Sequence, residues 1–183
     1  YMWESIGEVV VAARDAMKWL QRAAGVLSKA NEPITWKASD GFPVYMGTRV
    51  INSTKIETQL GGRFQLRIGN FTDDIDRNRQ RNGIAPNFVH SQDAAHMRAV
   101  VRQCRAEGIA PLAFIHDDFG THAADTERLG EIIRDTFVAL YTDHDPLHAL
   151  AEQYENTEYE LEPIPDYGTL DIQSVRRSEY FFG

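Results

Sequence analysis

The sequence is short of several things, and each shortage removes a class of answers. One cysteine, Cys104, stands among 183 residues. No internal disulfide can form, which suits a reducing compartment. No apolar run approaches the ~20 residues a membrane-spanning helix needs. No charged segment followed by an apolar stretch marks a secretory signal. There is no P-loop, no dinucleotide-binding glycine fingerprint, no cysteine-rich zinc pattern and no serine nucleophile elbow. Gly61-Gly62 is not followed by a helix and a Lys-Ser/Thr pair, so a phosphate cradle is not supported. What remains is carboxylate chemistry with a divalent metal, or no chemistry at all. Positive charge is scarce too. Lys and Arg number 19 against 27 Asp and Glu, a net charge of -8, which argues against a generic nucleic-acid binder.

What positive charge there is lies together. Arg49, Lys55, Arg63, Arg67, Arg77, Arg79 and Arg81 face only Glu57, Asp73, Asp74 and Asp76 in the same window, leaving it at +3 and the rest of the chain at -11. Residues 142–170 carry many carboxylates and no Lys or Arg. A basic window in an acidic chain points to one localised anionic partner; a solvated charged loop fits the same counts.

Helical spacing of Ile6, Val9, Val10, Ala13, Met17, Leu20, Ala24 and Leu27 predicts an amphipathic helix over residues 4–30, ended by Asn31 and Pro33. Asp40-Gly41, between Ile34-Thr35-Trp36 and Phe42-Pro43-Val44-Tyr45, predicts a hairpin. In residues 48–69, alternation puts Arg63, Gln65 and Arg67 on one face and Phe64, Leu66 and Ile68 on the other. Two such strands form a β-ribbon with one polar face. A ribbon fits the DNA major groove, where Arg, Lys and Gln read base edges; any half-buried strand shows the same pattern.

Residues 70–83 read as a loop or short exposed helix. Ser91 reads as an N-cap with Asp93 in the first turn, opening a helix through Met97, Val100, Val101 and Cys104 that ends at Gly108. His90 stands at that helix start. Leu112-Ala-Phe-Ile115, His116-Asp117-Asp118 and Phe119-Gly120 read as strand, acidic turn, strand. Such a turn lifts carboxylates to a lip where oxygen ligands hold Mg2+; an ordinary polar turn fits as well. Asp125 and Glu127 open another helix, buried through Leu129, Ile132, Ile133, Phe137 and Leu140, and a shorter one covers residues 147–155. Residues 156–170 read as an irregular acidic connection. Asp143, His144 and Asp145 are the one dense cluster from which a metal-dependent phosphohydrolase would have to be completed. The aromatic end, Tyr180-Phe181-Phe182, either docks into a groove or is an aggregation liability.

Several blocks resemble the C-terminal part of the phage-type, single-subunit DNA-dependent RNA polymerases. Trp3-Glu4-Ser5 through Ala16-Met17-Lys18-Trp19-Leu20 is similar to a fingers helix. Asp40 to Val44 is similar to the start of the promoter-specificity loop. Gly83-Ile-Ala-Pro-Asn-Phe-Val-His-Ser-Gln-Asp93 is similar to the fingers–palm junction. Ile115-His-Asp-Asp-Phe-Gly-Thr121 is similar to the catalytic palm hairpin, and Ser178 to Gly183 to the aromatic C-terminus.

The resemblance implies an α+β part of a right-hand polymerase. Helices would pack on a small antiparallel palm sheet, from which the specificity loop protrudes as a ribbon. Residues 1–89 would close the fingers, with the loop at about 42–72, and residues 90–183 would form the second part of the palm with the C-terminal tail. It implies Asp117 as a Mg2+ ligand, with Asp118 a bystander, His116 beside the metal and His90 near the growing end. Lys55, Glu57, Gln65 and Arg67 would read promoter bases. Partners would be double-stranded promoter DNA, the template strand, nascent RNA and NTPs, with no membrane; for a phage- or prophage-encoded chain the setting would be the cytoplasm of the bacterial host. The family's other metal-binding Asp and its nucleotide-binding Lys and Tyr are absent from this sequence. The chain is therefore expected to be a C-terminal fragment, inactive alone. A non-catalytic, sequence-reading DNA-binding module is the alternative.

Overall fold

The computed structural model describes residues 10–59, 62–115 and 117–181. Its first element, α1 (Val11–Lys29), turns Trp19, Leu20, Ala23, Ala24, Leu27 and Ser28 inward at three- and four-residue spacing. The expected start, residues 4–9, lies outside the described residues. The helix stops where expected. Asn31 adopts φ 64°, and the Glu32 and Asn31 amides donate back to the carbonyls of Leu27 (3.0 Å) and Ser28 (3.2 Å). That is a Schellman closure, with Asn in the left-handed position that few residues tolerate.

β1 (Ile34–Lys37) and β2 (Pro43–Met46) pair antiparallel around the turn at Asp40-Gly41, where Gly41 takes φ 83°. β3 (Arg49–Gln59) and β4 (Arg63–Ile75) form the long ribbon, in register from Ile51↔Phe71 to Gln59↔Arg63. Asn31 fixes its foot. The side-chain oxygen accepts the Ile75 amide hydrogen at 2.7 Å, and the amide nitrogen donates to the Asp73 carbonyl at 3.3 Å.

α2 runs from Arg77 to Ala106, 30 residues in one helix, about 45 Å at ~1.5 Å per residue. This corrects the expectation of a separate loop or short exposed helix at residues 70–83 and of a helix capped at Ser91. Residues 70–75 belong to β4. The cap is Asp76, whose carboxylate accepts the Arg79 amide hydrogen at 3.1 Å. Ser91 sits mid-helix, its hydroxyl donating to the Phe88 carbonyl (2.6 Å) and accepting the Trp36 indole hydrogen (2.8 Å). Pro86 lies inside the helix. It surrenders one backbone bond, and nearby the Asn87 amide donates to the Gly83 carbonyl at 2.7 Å. The C-terminus closes as expected on Gly108 at φ 77°, with Ile109 donating to the Cys104 carbonyl at 2.9 Å.

β5 (Ala113–Ile115) and β6 (Asp118–Gly120) make a short hairpin. A 3-10 turn, Ala123–Asp125, leads into α3 (Thr126–Asp143). α4 (Pro146–Tyr154) is capped by the Asp145 carboxylate, which accepts the Leu147 and His148 amide hydrogens at 3.1 and 3.0 Å. The irregular connection that follows is pinned by the Trp19 indole, donating to the Glu162 carbonyl at 2.8 Å.

The expected α+β composition is present, with the strands in three separate two-stranded antiparallel sheets. Two apolar cores sit along α2. The first joins α1, β1, α4 and the front half of α2 around Trp19, Trp36, Ile84, Phe88 and Leu150. The second joins the back half of α2 to α3 around Val100, Cys104, Leu129, Ile132 and Ile133, with Phe114, Phe119 and Phe181 packed against it. Cys104 is a buried free thiol. No helix among the described residues is long and apolar enough to cross a membrane.

Candidate active site and nucleic-acid interface

The β5–β6 hairpin has two faces because its period is two. Phe114 and Phe119 are register partners and meet edge to face, centroids 5.5 Å apart, against the second core. Ile115 and Asp118 are the next pair and face the other way, Ile115 being 68% exposed. Asp117 stands at the turn itself, exposed. Asp117 and Asp118 therefore do not converge as a pair of ligands. His116 lies outside the described residues.

α2 brings a second group of charges to this end. His90 and Asp93 are both exposed and three residues apart on the helix. Loss of surrounding water pushes the Asp93 carboxyl upward; His90 and His96 oppose that shift, and the charge of Asp117 adds to it. Asp93 was expected in a first helical turn. It belongs instead to the middle of α2, facing the electrostatic field of the hairpin turn. Burial, with Asp93 adding, pushes the Tyr141 hydroxyl up to about 12, so it stays protonated.

Sequence reasoning passed over His96, one turn further along α2. It is 4% exposed. Burial drives its imidazole downward from the ordinary histidine value, against the opposing pull of the Ile133 carbonyl and Asp93, so it is neutral near pH 7. One signal was available: Gln80, Ile84, Phe88, Gln92, His96, Val100 and Cys104 recur every four residues, placing three polar side chains on a helix stripe that is otherwise apolar.

The ribbon holds the other candidates. Lys55 is opposite Arg67, and Glu57 opposite Gln65, so all four share one face. The Gln65 amide donates to the Glu57 carboxylate at 3.3 Å. On the reverse face Ile56 is opposite Leu66, and Thr54 opposite Ile68. The expected alternation is present, but the apolar side is not covered by described residues: Phe64 is 55% and Leu66 52% exposed. Ribbon and hairpin belong to different sheets.

Of the Asp143-His144-Asp145 cluster, Asp145 does other work. Asp145 caps α4 and accepts the Tyr167 hydroxyl hydrogen at 2.6 Å. His148 is turned to Glu152, 3.3 Å away. Among the described residues no three His, Cys, Asp or Glu stand together as a metal site. Asp117, an exposed carboxylate at a turn, fits the hard oxygen donor that Mg2+ prefers, as one ligand of a set that needs others.

A family model described as DNA-dependent RNA polymerase matches residues 1–160. The chain is similar to the DNA-directed RNA polymerase of Enterobacteria phage T3, 35% identical over 99% of this chain and 23% of the relative. It is 34% identical to T7 RNA polymerase of Escherichia phage T7 over the same shares. With DNA-directed RNA polymerase 2A of Nicotiana tabacum it shares 36% identity over 97% of this chain and 53% of the relative. The chain thus spans about a quarter of the length of these phage relatives.

Proposed function

The chain belongs to the DNA-dependent RNA polymerase family, on its phage-type branch, and from that premise we propose that it forms part of the catalytic and promoter-reading surface of a polymerase making RNA from NTPs on a DNA template. Residues 1–89 close the fingers and carry the specificity loop at about 42–72. Residues 90–183 complete the palm. The chain is a C-terminal portion of the enzyme and is inactive alone.

In this reading Asp117 holds Mg2+ together with a carboxylate from outside the chain. The metal's contribution, when bound, is to stabilise the attacking and leaving oxygens of an in-line phosphoryl displacement. Asp117 fixes one coordination position, Asp118 is a bystander, and His116, which lies outside the described residues, takes the role beside the metal that the family resemblance implies. His90, exposed beside Asp93 in the middle of α2, positions the growing RNA end. Lys55, Glu57, Gln65 and Arg67 meet base edges of double-stranded promoter DNA. If the chain is phage or prophage encoded, the setting is the cytoplasm of the bacterial host. The observation that carries the proposal is the hairpin itself, which holds Asp117 at a turn while Phe114 and Phe119 anchor its inner face. In the complete polymerase, Asp117→Asn is expected to cut turnover by about 10³-fold or more while promoter binding persists. Turnover near wild type would remove Asp117 from the metal site.

The alternative is a DNA-binding module without catalysis. The opposition of Lys55 and Arg67 favours it, since like charges directly across a ribbon repel unless an anion neutralises them. Sequence preference that needs no Mg2+ and is lost in Arg67→Ala or Gln65→Ala, with no nucleotide incorporation by the complete protein, would establish that reading instead.

A further inference from the structure

The β5–β6 hairpin has three residues per strand and, among the described residues, no third strand beside it. Its own backbone bonds are too few to fix where its turn stands. A two-stranded unit of this size is not stable by itself in water. Its placement must come from what its inner face touches.

Phe119 meets the edge of the His96 ring, centroids 5.9 Å apart. His96 meets Phe137 of α3 edge to face at 5.4 Å. Phe137 in turn packs against Phe181 of the C-terminal segment at 4.9 Å. His96 is thus the junction between the hairpin, α3 and, through Phe137, the tail. Its orientation is set by more than packing. Nε2 lies 3.0 Å from the Ile133 carbonyl oxygen and 3.1 Å from the Thr136 hydroxyl. A carbonyl only accepts, so Nε2 carries the hydrogen and donates it. The Thr136 hydroxyl donates to the Ile132 carbonyl at 2.7 Å.

We propose that His96 is a positioning residue for Asp117: its ring, locked to α3 through Nε2–H, sets the surface on which Phe119 seats and so the position of the hairpin turn. A phenylalanine would fill the same space but has no N–H to fix its rotation. A histidine buried here incurs a desolvation cost that only an oriented hydrogen bond offsets. Misplacing a reacting group by about 1 Å can cost ~10²-fold in rate. The inference rests on the reading of Asp117 as a metal ligand.

The test uses the complete polymerase with His96→Phe, His96→Gln and Asp117→Asn. Four quantities are read: kcat, NTP KM, promoter binding without metal, and affinity for Mn2+ followed by its electron paramagnetic resonance signal. His96→Phe is expected to lower kcat by about 10- to 100-fold and to weaken Mn2+ binding several-fold, with promoter binding and NTP KM unmoved. His96→Gln, whose amide N–H can reach the same carbonyl but which offers Phe119 no ring, recovers only part of both. Wild-type kcat and Mn2+ affinity in a folded His96→Phe overturn the proposal. So does a loss of kcat that tracks the folded fraction alone with Mn2+ affinity unchanged. If His96→Phe does not fold, Phe119→Leu keeps the imidazole and removes the ring contact, and must move Mn2+ affinity in the same direction. Turnover by Asp117→Asn overturns the underlying reading and this inference with it. Loss in Asp117→Asn beside wild-type behaviour in His96→Phe overturns this inference alone.

Discussion

Among the described residues the β3–β4 ribbon and the β5–β6 hairpin are both two-stranded antiparallel units without a third strand, yet they keep their shapes by different means. The ribbon is long, with continuous register from Ile51↔Phe71 to Gln59↔Arg63, and is exposed on both faces. Its form comes from cross-strand pairs and from a foot fixed by Asn31 and by buried Ile75. The hairpin is short and takes its place from Phe114 and Phe119 on the second core. A side chain on the ribbon can therefore change without disturbing the fold. A side chain behind the hairpin cannot. The surface proposed to read sequence is locally encoded, and the one proposed to hold metal depends on distant residues.

That contrast can be broken most severely from behind. Ile132 is 1% exposed in the second core, and Ile132→Ala is expected to destabilise by about 2–5 kcal/mol, read from the urea midpoint. The loss of catalysis should exceed the loss of promoter binding, because the hairpin rests on this core and the ribbon does not. The ribbon is probed next. Arg67→Ala is expected to cost about 1–3 kcal/mol of discrimination at one base position, read from a randomised promoter library, with the melting curve unmoved. Equal losses at every promoter position would mean that Arg67 contacts phosphate and reads no base.

A smaller effect tests the joint between the β1–β2 turn and α2. Arg98 donates to both Asp40 carboxylate oxygens, at 2.5 and 2.9 Å, and its guanidinium lies 4.8 Å from the Phe42 ring centroid. The Arg98 hydrogen bonds hold the Asp40 carboxyl below its ordinary value, against the opposing effect of burial. A depressed folded-state pKa adds stability above the unfolded value, about 3.9. That stability is lost as pH falls through the depressed one. Asp40→Asn should cost about 1 kcal/mol at pH 7 and flatten the acid limb of the stability curve, measured by urea melts from pH 2 to 7. An acid limb of unchanged slope would assign the pH dependence to other carboxylates. The smallest effect belongs to the ribbon's apolar side. Leu66→Ala is expected to change stability by less than about 0.5 kcal/mol. A cost like that of Ile132→Ala would mean this face is covered in solution.

Much of this was legible residue by residue. Asn31, Gly41, Gly108 and Asp145-Pro146 each end or turn an element where local backbone preferences require it. The alternation around Lys55 and Arg67 gave the ribbon its two faces. The failure at α2 is equally specific. Residues 70–83 read as a loop or short exposed helix because they are polar and end at Gly83, and Gln80, Gln92 and His96 break the apolar period of the stripe that α2 buries. Each is buried because another element supplies a partner: the Glu32 carbonyl accepts from Gln80, Ser39 donates to Gln92, and the Ile133 carbonyl accepts from His96. Those partners stand 37 to 53 residues away in the chain, beyond any local window.

By itself, then, the sequence determined the strands' two faces, the turns and caps and the position of Asp117 at a turn, because backbone geometry sets these within a few residues. The tertiary structure alone decided which faces are covered. Among the described residues it left the ribbon's apolar side open, ran residues 77–106 as one α2, and set His96 behind the hairpin, because burial depends on what arrives from elsewhere in the chain.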